Sequence, residues 1–144
     1  TWSGGVEHAQ IDMGQVEARF DRNIECAKSL VTQTVSVQKH KNQSDHALVG
    51  LLAAGHKGSF DFIYVDGSHQ APDVLCDAVL AFRLLRVGGI MVFDDYLWSE
   101  ALPGGVDPIR CPKPAVDAFT NLYCRKLKIL QAPLYQLYAQ KIAD

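Results

Sequence analysis

Two short apolar runs in this sequence each end in acid: Phe60 to Val65 is followed by Asp66-Gly67, and Ile90 to Phe93 by Asp94-Asp95. Read as buried parallel strands, consecutive runs of this kind lie side by side, about 4.8 Å apart. Their carboxyl ends open on the crevice where open α/β sheets bind ligands. Three carboxylates, Asp66, Asp94 and Asp95, then converge on one small volume. Crowded anions repel and raise each other's pKa unless a cation neutralises them, so a hard divalent ion with oxygen ligands is the natural occupant. The bland alternative is that Asp66 opens an Asp-Gly turn and that Asp94 or Asp95 caps the next segment. The coincidence of two acidic strand ends favours the first reading.

His69 stands three residues beyond Asp66. A loop entering a helix there could aim its imidazole at a substrate on the ion, and an unperturbed pKa of about 6.5 suits a proton acceptor near neutrality. Its alternative is a surface histidine at a helix start. His8, His40, His46 and His56 have no partner pattern and read as surface residues.

The elements that must position these groups follow from periodicity. Asp12 and Gln15 form a capping box ahead of Met13, Val16, Phe20, Ile24, Ala27 and Val31 at helical spacing. Val35 and Val37 alternate with Thr34, Ser36 and Gln38 as in a half-buried strand. Ser44 can cap a second helix with Leu48, Leu51 and Leu52 facing inward and Gly55 near its end. Phe60 to Val65 reads as a strand buried on both faces. Pro72 opens a helix whose stripe is Leu75, Ala78, Val79, Phe82 and Leu85, with Gly88-Gly89 as its stop. After the strand Ile90 to Phe93, a Pro/Gly-rich loop from Leu102 to Pro112 leads to a helix carrying Val116, Phe119 and Leu122. Strands near Lys126 to Leu130 and Leu134 to Ala139 then form an antiparallel hairpin. The alternation predicts an α/β fold: a doubly wound, mostly parallel sheet with one antiparallel edge, in a single domain spanning residues 1–144.

Composition narrows the partners. With 48% hydrophobic and 21% charged residues in 144, the chain can bury one moderate core. A net charge of -2, with no run of Lys or Arg beyond two, gives no attraction to nucleic acid or anionic lipid. The four scattered cysteines, Cys26, Cys76, Cys111 and Cys124, have no zinc-site spacing and read as free thiols of a cytoplasmic protein. No apolar stretch approaches the roughly 20 residues of a membrane span. A small-molecule or protein partner is expected.

Phe60-Asp-Phe-Ile-Tyr-Val-Asp-Gly-Ser-His69 and Val87-Gly-Gly-Ile-Met-Val-Phe-Asp-Asp-Tyr-Leu-Trp98 resemble strands four and five of class I S-adenosylmethionine-dependent methyltransferases. The likeness is closest to the metal-dependent O-methyltransferases of the catechol, caffeoyl-CoA and macrocin types. It implies a Rossmann-like fold, Asp66, Asp94 and Asp95 as ligands of Mg2+ or a similar cation, and His69 at the general-base position. Thr1-Trp-Ser-Gly-Gly resembles the segment just after strand two, which places Trp2 beside the cofactor. Ser44-Asp45 resembles the adenine-contacting position, where Ser44 is otherwise a helix cap, and Asp66 is shared between cofactor and metal. Tyr135-Gln-Leu-Tyr138 matches the family's last strand.

One departure matters. The family's Gly-rich turn after its first strand has no equivalent here: Gly4-Gly5 lies in the wrong place, and Gly88-Gly89 is taken by the helix stop. The fold's N-terminal strands are therefore expected to be missing, as if the domain were truncated. The strand at residues 34–40 must then pair either with Phe60 to Val65 or across a homodimer, since an open edge is a liability. Three functions follow for test: metal-assisted methyl transfer from S-adenosylmethionine to a small-molecule hydroxyl; a non-catalytic truncated domain that folds or dimerises without cofactor; and, last, a phosphohydrolase using the same carboxylates. Trp98 and the Leu102 to Pro112 loop are expected to border the acceptor pocket.

Overall fold

The structure, a computed structural model, describes residues 10–133 and 135–144. Trp2, Gly4-Gly5, His8 and Leu134 fall outside them. The chain divides into two compact units, one up to Gln43 and one from Ser44 to Asp144, and each is taken by itself.

The first unit is built on helix α1 (Met13–Ser29), started by Asp12. Asp12 Oδ1 accepts the amides of Gly14 at 3.0 Å and Gln15 at 3.2 Å, and the Gln15 side chain returns a hydrogen bond to Asp12 Oδ2 at 3.0 Å. Two donors left over at any helix start are thereby satisfied. Met13, Val16, Phe20 and Ile24 share the half-buried face, while Ala27 is exposed and Val31 lies past the helix end, 44% exposed. The expected strand at residues 34–38 is absent: the segment is extended but joins no ladder, and Val35 and Val37 stay 43% and 40% exposed. Alternation makes a strand only where a partner completes its hydrogen bonds. What holds this segment to α1 is charge: Lys39 Nζ meets Glu17 at 2.9 Å and Asp21 at 2.7 Å, and Lys41 meets Glu17 at 2.9 Å.

The second unit carries the core. Its elements are α2 (Ser44–Ala53), β1 (Phe60–Val65), α3 (Ala71–Leu84), β2 (Leu85–Phe93), a 3-10 turn (Pro108–Arg110), α4 (Lys113–Leu122), β3 (Leu127–Leu130) and β4 (Leu137–Lys141). They form a four-stranded sheet in the order β1-β2-β4-β3. The α/β class and the C-terminal antiparallel hairpin are as expected: β1 and β2 run parallel, and β4 pairs antiparallel with both β2 and β3. Among the described residues β1 is the first strand and has β2 as its only ladder partner, so it is an edge.

Several expectations are corrected here. β1 is not buried on both faces: Ile63 and Val65 pack on the core, but Phe62 and Tyr64 are 54% and 43% exposed. An apolar run says that both faces are greasy, not that both are covered. Helix α3 stops at Leu84, four residues before Gly88, and Leu85 is already in β2. Gly88-Gly89 instead serves an irregularity in the ladder, where pairing jumps from Phe60↔Leu85 to Phe62↔Ile90. Gly88 has φ of 85°, and a Cβ on Gly89 would come within 3.0 Å of the Asp61 carbonyl oxygen. Leu122 points away from the core at 79% exposed, and Ala115 joins Val116 and Phe119 inside. Strand β4 begins at Leu137 rather than 134, because a turn with Gln136 N–H donating to the Pro133 carbonyl at 3.2 Å intervenes.

Helices α3 and α4 cover the sheet with an aromatic centre. Phe119 meets Phe82 and Phe93 edge-on at 6.0 and 5.6 Å between ring centres and stacks on Tyr123 at 4.6 Å. Burying each such ring contributes about 1.5–3 kcal/mol, and edge-on geometry adds to it. At the foot of β2 lies a buried cation, Lys141, 1% exposed. Its Nζ donates to the carbonyls of Phe82 at 3.1 Å and Leu85 at 2.8 Å, pairs with Asp144 at 2.6 Å and sits 4.4 Å from the centre of the Phe82 ring. The carbonyls left over at the end of α3 thus receive a positive charge where the helix dipole favours one.

Candidate metal centre

The acids gather at the other end of the sheet. Val65 is in register with Phe93, and the Asp94 amide donates to the Val65 carbonyl at 3.0 Å, so Asp66 and Asp94 leave neighbouring strand tips side by side. Asp95 then takes a left-handed conformation, φ 51°, which Asp tolerates better than most residues. A tight turn follows, with the Trp98 amide on the Asp95 carbonyl at 2.8 Å. One carboxylate oxygen from each of Asp66, Asp94 and Asp95 lies within 4.8 Å of the others. Two full charges this close repel by about 1 kcal/mol in bulk water and several times more near a protein surface.

The protonation equilibria register that crowding. Burial first, then the charges of Asp94 and Asp95, push the Asp66 carboxyl above its ordinary range, with His69 partly offsetting them. Asp94 moves the other way, lowered first by the Tyr64 hydroxyl and further by the Gln136 amide and the Asp95 backbone N–H. The same contact drives the Tyr64 phenol up to about 12. A donor set of three oxygens at strand tips, two of them half-buried, matches what a hard divalent cation takes.

His69 joins this group. Its Nε2 lies 3.0 Å from Asp95 Oδ2, and its ring stacks on Trp98 with centres 4.2 Å apart and planes 21° from parallel. Ser68 Oγ accepts the Gln70 amide at 3.0 Å and turns the chain from Asp66-Gly67 into α3. A shallow pocket opens between the Asp66–His69 loop, Asp94-Asp95 and Pro112. Helices α2 and α3 pack against each other nearby. Asp77 on α3, 5% exposed, is hydrogen-bonded by Ser44 at the start of α2, and a Cβ on Gly67 would come 3.2 Å from Asp77 Oδ2. Burial pushes the Asp77 carboxyl up, and the Ser44 bond pulls against it.

Of the sequence-predicted residues, Asp66, Asp94, Asp95 and His69 are brought together. Ser44 is the first residue of α2 and is hydrogen-bonded to Asp77, whose carboxylate lies close to Gly67. Asp45 turns its carboxylate to the His46 amide at 2.7 Å. Trp2 lies outside the described residues. Sequence reasoning missed Tyr64 and Gln136, which touch Asp94 from positions 30 residues before it and 42 after it. Only the register of β1, β2 and β4 brings them together.

Comparison with known proteins gives the same direction. A family profile described as a methyltransferase domain matches residues 4–96. The chain is 37% identical over 60 residues to a probable caffeoyl-CoA O-methyltransferase 3 of Dictyostelium discoideum, covering 42% of this chain and 23% of that one. It is 35% identical over 78 residues to an uncharacterized protein of Acanthamoeba polyphaga mimivirus, covering 51% of this chain and 35% of the other. The matches thus span about a third or less of those relatives' lengths. A crystal structure of a Corynebacterium glutamicum protein superposes with a TM-score of 0.59 at 19% identity, over 88% of this chain and 58% of that one, a likeness of fold.

Proposed function

Because this chain belongs to the methyltransferase-domain family, we propose that it is the metal-binding and acceptor-binding part of an O-methyltransferase. The reaction is transfer of a methyl group from S-adenosylmethionine to a hydroxyl of a small molecule. The observation that carries this reading is the convergence of Asp66, Asp94 and Asp95 within 4.8 Å. Those three residues would hold Mg2+ or a similar ion. A divalent cation there lowers the pKa of a hydroxyl that reaches it.

The chain's own residues do the rest. His69, held through Nε2 on Asp95 Oδ2, is the base that takes the acceptor's proton. Trp98, flat against that ring, holds its plane. Ser44, hydrogen-bonded to Asp77, and Asp45 beside it are the candidates for the cofactor side together with Asp66. S-adenosylmethionine, when bound, would supply its sulfonium methyl to the deprotonated oxygen and leave as S-adenosylhomocysteine. Catalysis on this account is positioning plus neutralisation of charge.

The probable caffeoyl-CoA O-methyltransferase among the relatives supports a hydroxyl acceptor. The test is methyl transfer from labelled S-adenosylmethionine to a panel of catechol-like hydroxyl compounds, with Mg2+ and then with EDTA. Turnover that EDTA and Asp94→Ala each abolish is the expected result. Turnover indifferent to EDTA removes the metal. Calorimetry with S-adenosylhomocysteine separates the remaining alternative, since a chain that only folds or dimerises binds none.

A further inference from the structure

Strand β4 reaches the carboxylate cluster from the side opposite His69. The antiparallel ladder ends at Phe93↔Leu137, and one step further along it Gln136 stands across from Asp94. Gln136 Nε2 donates to Asp94 Oδ1 at 2.9 Å and to the Tyr64 hydroxyl oxygen at 2.6 Å. The Tyr64 proton in turn goes to the Asp94 carboxylate. On the other side of the amide, the Tyr138 hydroxyl donates to Gln136 Oε1 at 2.8 Å.

This closed set has one consistent orientation. A flipped amide would set Gln136 Oε1 against Asp94 Oδ1, two acceptors at 2.9 Å, and would leave the Tyr138 hydroxyl facing donors. The Asp94 carboxylate, which only accepts, sets the amide's orientation, Tyr138 braces its oxygen, and the bonds from Gln136 and Tyr64 to the carboxylate are charge-assisted. Tyr64 and Tyr138 lie on strands β1 and β4, and Gln136 lies in the turn leading into β4.

Resting on the metal-centre reading above, we propose that Gln136 is a positioning residue for that centre: with Tyr64 and Tyr138 it holds the Asp94 carboxylate in the orientation that binds the cation. It does not touch the ion or the acceptor. Its removal costs affinity because Asp94 must then be ordered at the moment of binding, and outer partners of this kind are typically worth 10- to 100-fold in metal affinity.

The experiment is a Mn2+ titration of the full chain, with free Mn2+ followed by electron paramagnetic resonance and the thermal midpoint recorded for each variant. Gln136→Met is expected to weaken Mn2+ binding by about 10-fold or more with little change in midpoint. Tyr138→Phe is expected to weaken it by less, and Tyr138→Phe added to Gln136→Met should weaken it no further, because Tyr138 acts through the amide. Should Gln136→Met fail to fold, Tyr64→Phe replaces it, removing one donor to Asp94 from a different strand, and is expected to lower affinity several-fold. Unchanged affinity in Gln136→Met, or in Tyr64→Phe where that stands in, beside lost binding in Asp94→Ala overturns this proposal and leaves the metal centre standing. Wild-type protein that binds no Mn2+, or Asp94→Ala that binds like wild type, overturns the metal centre itself.

Discussion

The two ends of β2 treat charge in opposite ways. At its foot a single cation, Lys141, is buried and answered on every side: two helix-end carbonyls, the Asp144 carboxylate and the face of Phe82. At its tip three anions stand within 4.8 Å of one another, and burial and mutual repulsion raise Asp66. Among the described residues, Tyr64 and Gln136 donate to Asp94, and His69 and the Tyr135 hydroxyl meet Asp95. The difference separates structural charge from functional charge. Lys141 is complete within the fold and contributes stability. Ionised Asp66 costs stability where Asp94 does not, and a perturbed carboxyl at a strand tip is a candidate for binding rather than for support.

That contrast breaks first at Lys141. Lys141→Ala removes the donor to the Phe82 and Leu85 carbonyls, opens space beside Phe82 and is expected to cost about 3 kcal/mol in urea unfolding. A loss below about 0.5 kcal/mol, the level of an ordinary surface substitution, would mean that the foot of the sheet does not depend on it.

Asp66→Asn should act in the opposite sense. Because the fold raises the Asp66 pKa, the folded chain holds that proton more tightly than the unfolded one. Stability therefore falls as pH rises from the ordinary carboxylate value of 3.8 through the raised one. In EDTA the variant is expected to be more stable than wild type at pH 7, with the gap opening across that window and closing toward lower pH. Mg2+ should raise the wild-type midpoint and leave that of the variant where it was. An Asp66→Asn protein that is less stable than wild type in EDTA at pH 7 contradicts the picture of a cluster under repulsion.

The smallest effect is expected at Trp98. Trp98→Leu gives up the stack on His69, about 1 kcal/mol at most. Its consequence belongs to the proposed reaction rather than to stability: a few-fold fall in kcat and in the acceptor's kcat/KM, as expected of a group that holds the proposed base. A variant with both unchanged would show that Asp95 alone orients the imidazole.

The acids were legible in the sequence because the signal is local. An apolar run of strand length, then Asp, twice, with a helix between, can fold into little else than adjacent parallel strands with acidic tips. His69 was legible for the same reason, three residues from the first tip. Tyr64 and Gln136 were not, because their role depends on registers between strands that share no sequence neighbourhood. Gly88-Gly89 was misread as a helix stop because glycine fits several backbone tasks, and only the approach to Asp61 shows which one it performs here. The alternation at residues 34–38 was misread because a strand is made by its partner as much as by its pattern.

The most direct test of the central claim is anomalous diffraction from crystals of this chain grown with Mn2+. The account predicts a peak bonded to an oxygen from each of Asp66, Asp94 and Asp95, with Gln136 still on Asp94 and His69 still on Asp95. A strand-tip site with no peak at saturating Mn2+, or the ion held by other residues while these three carboxylates face solvent, would contradict it.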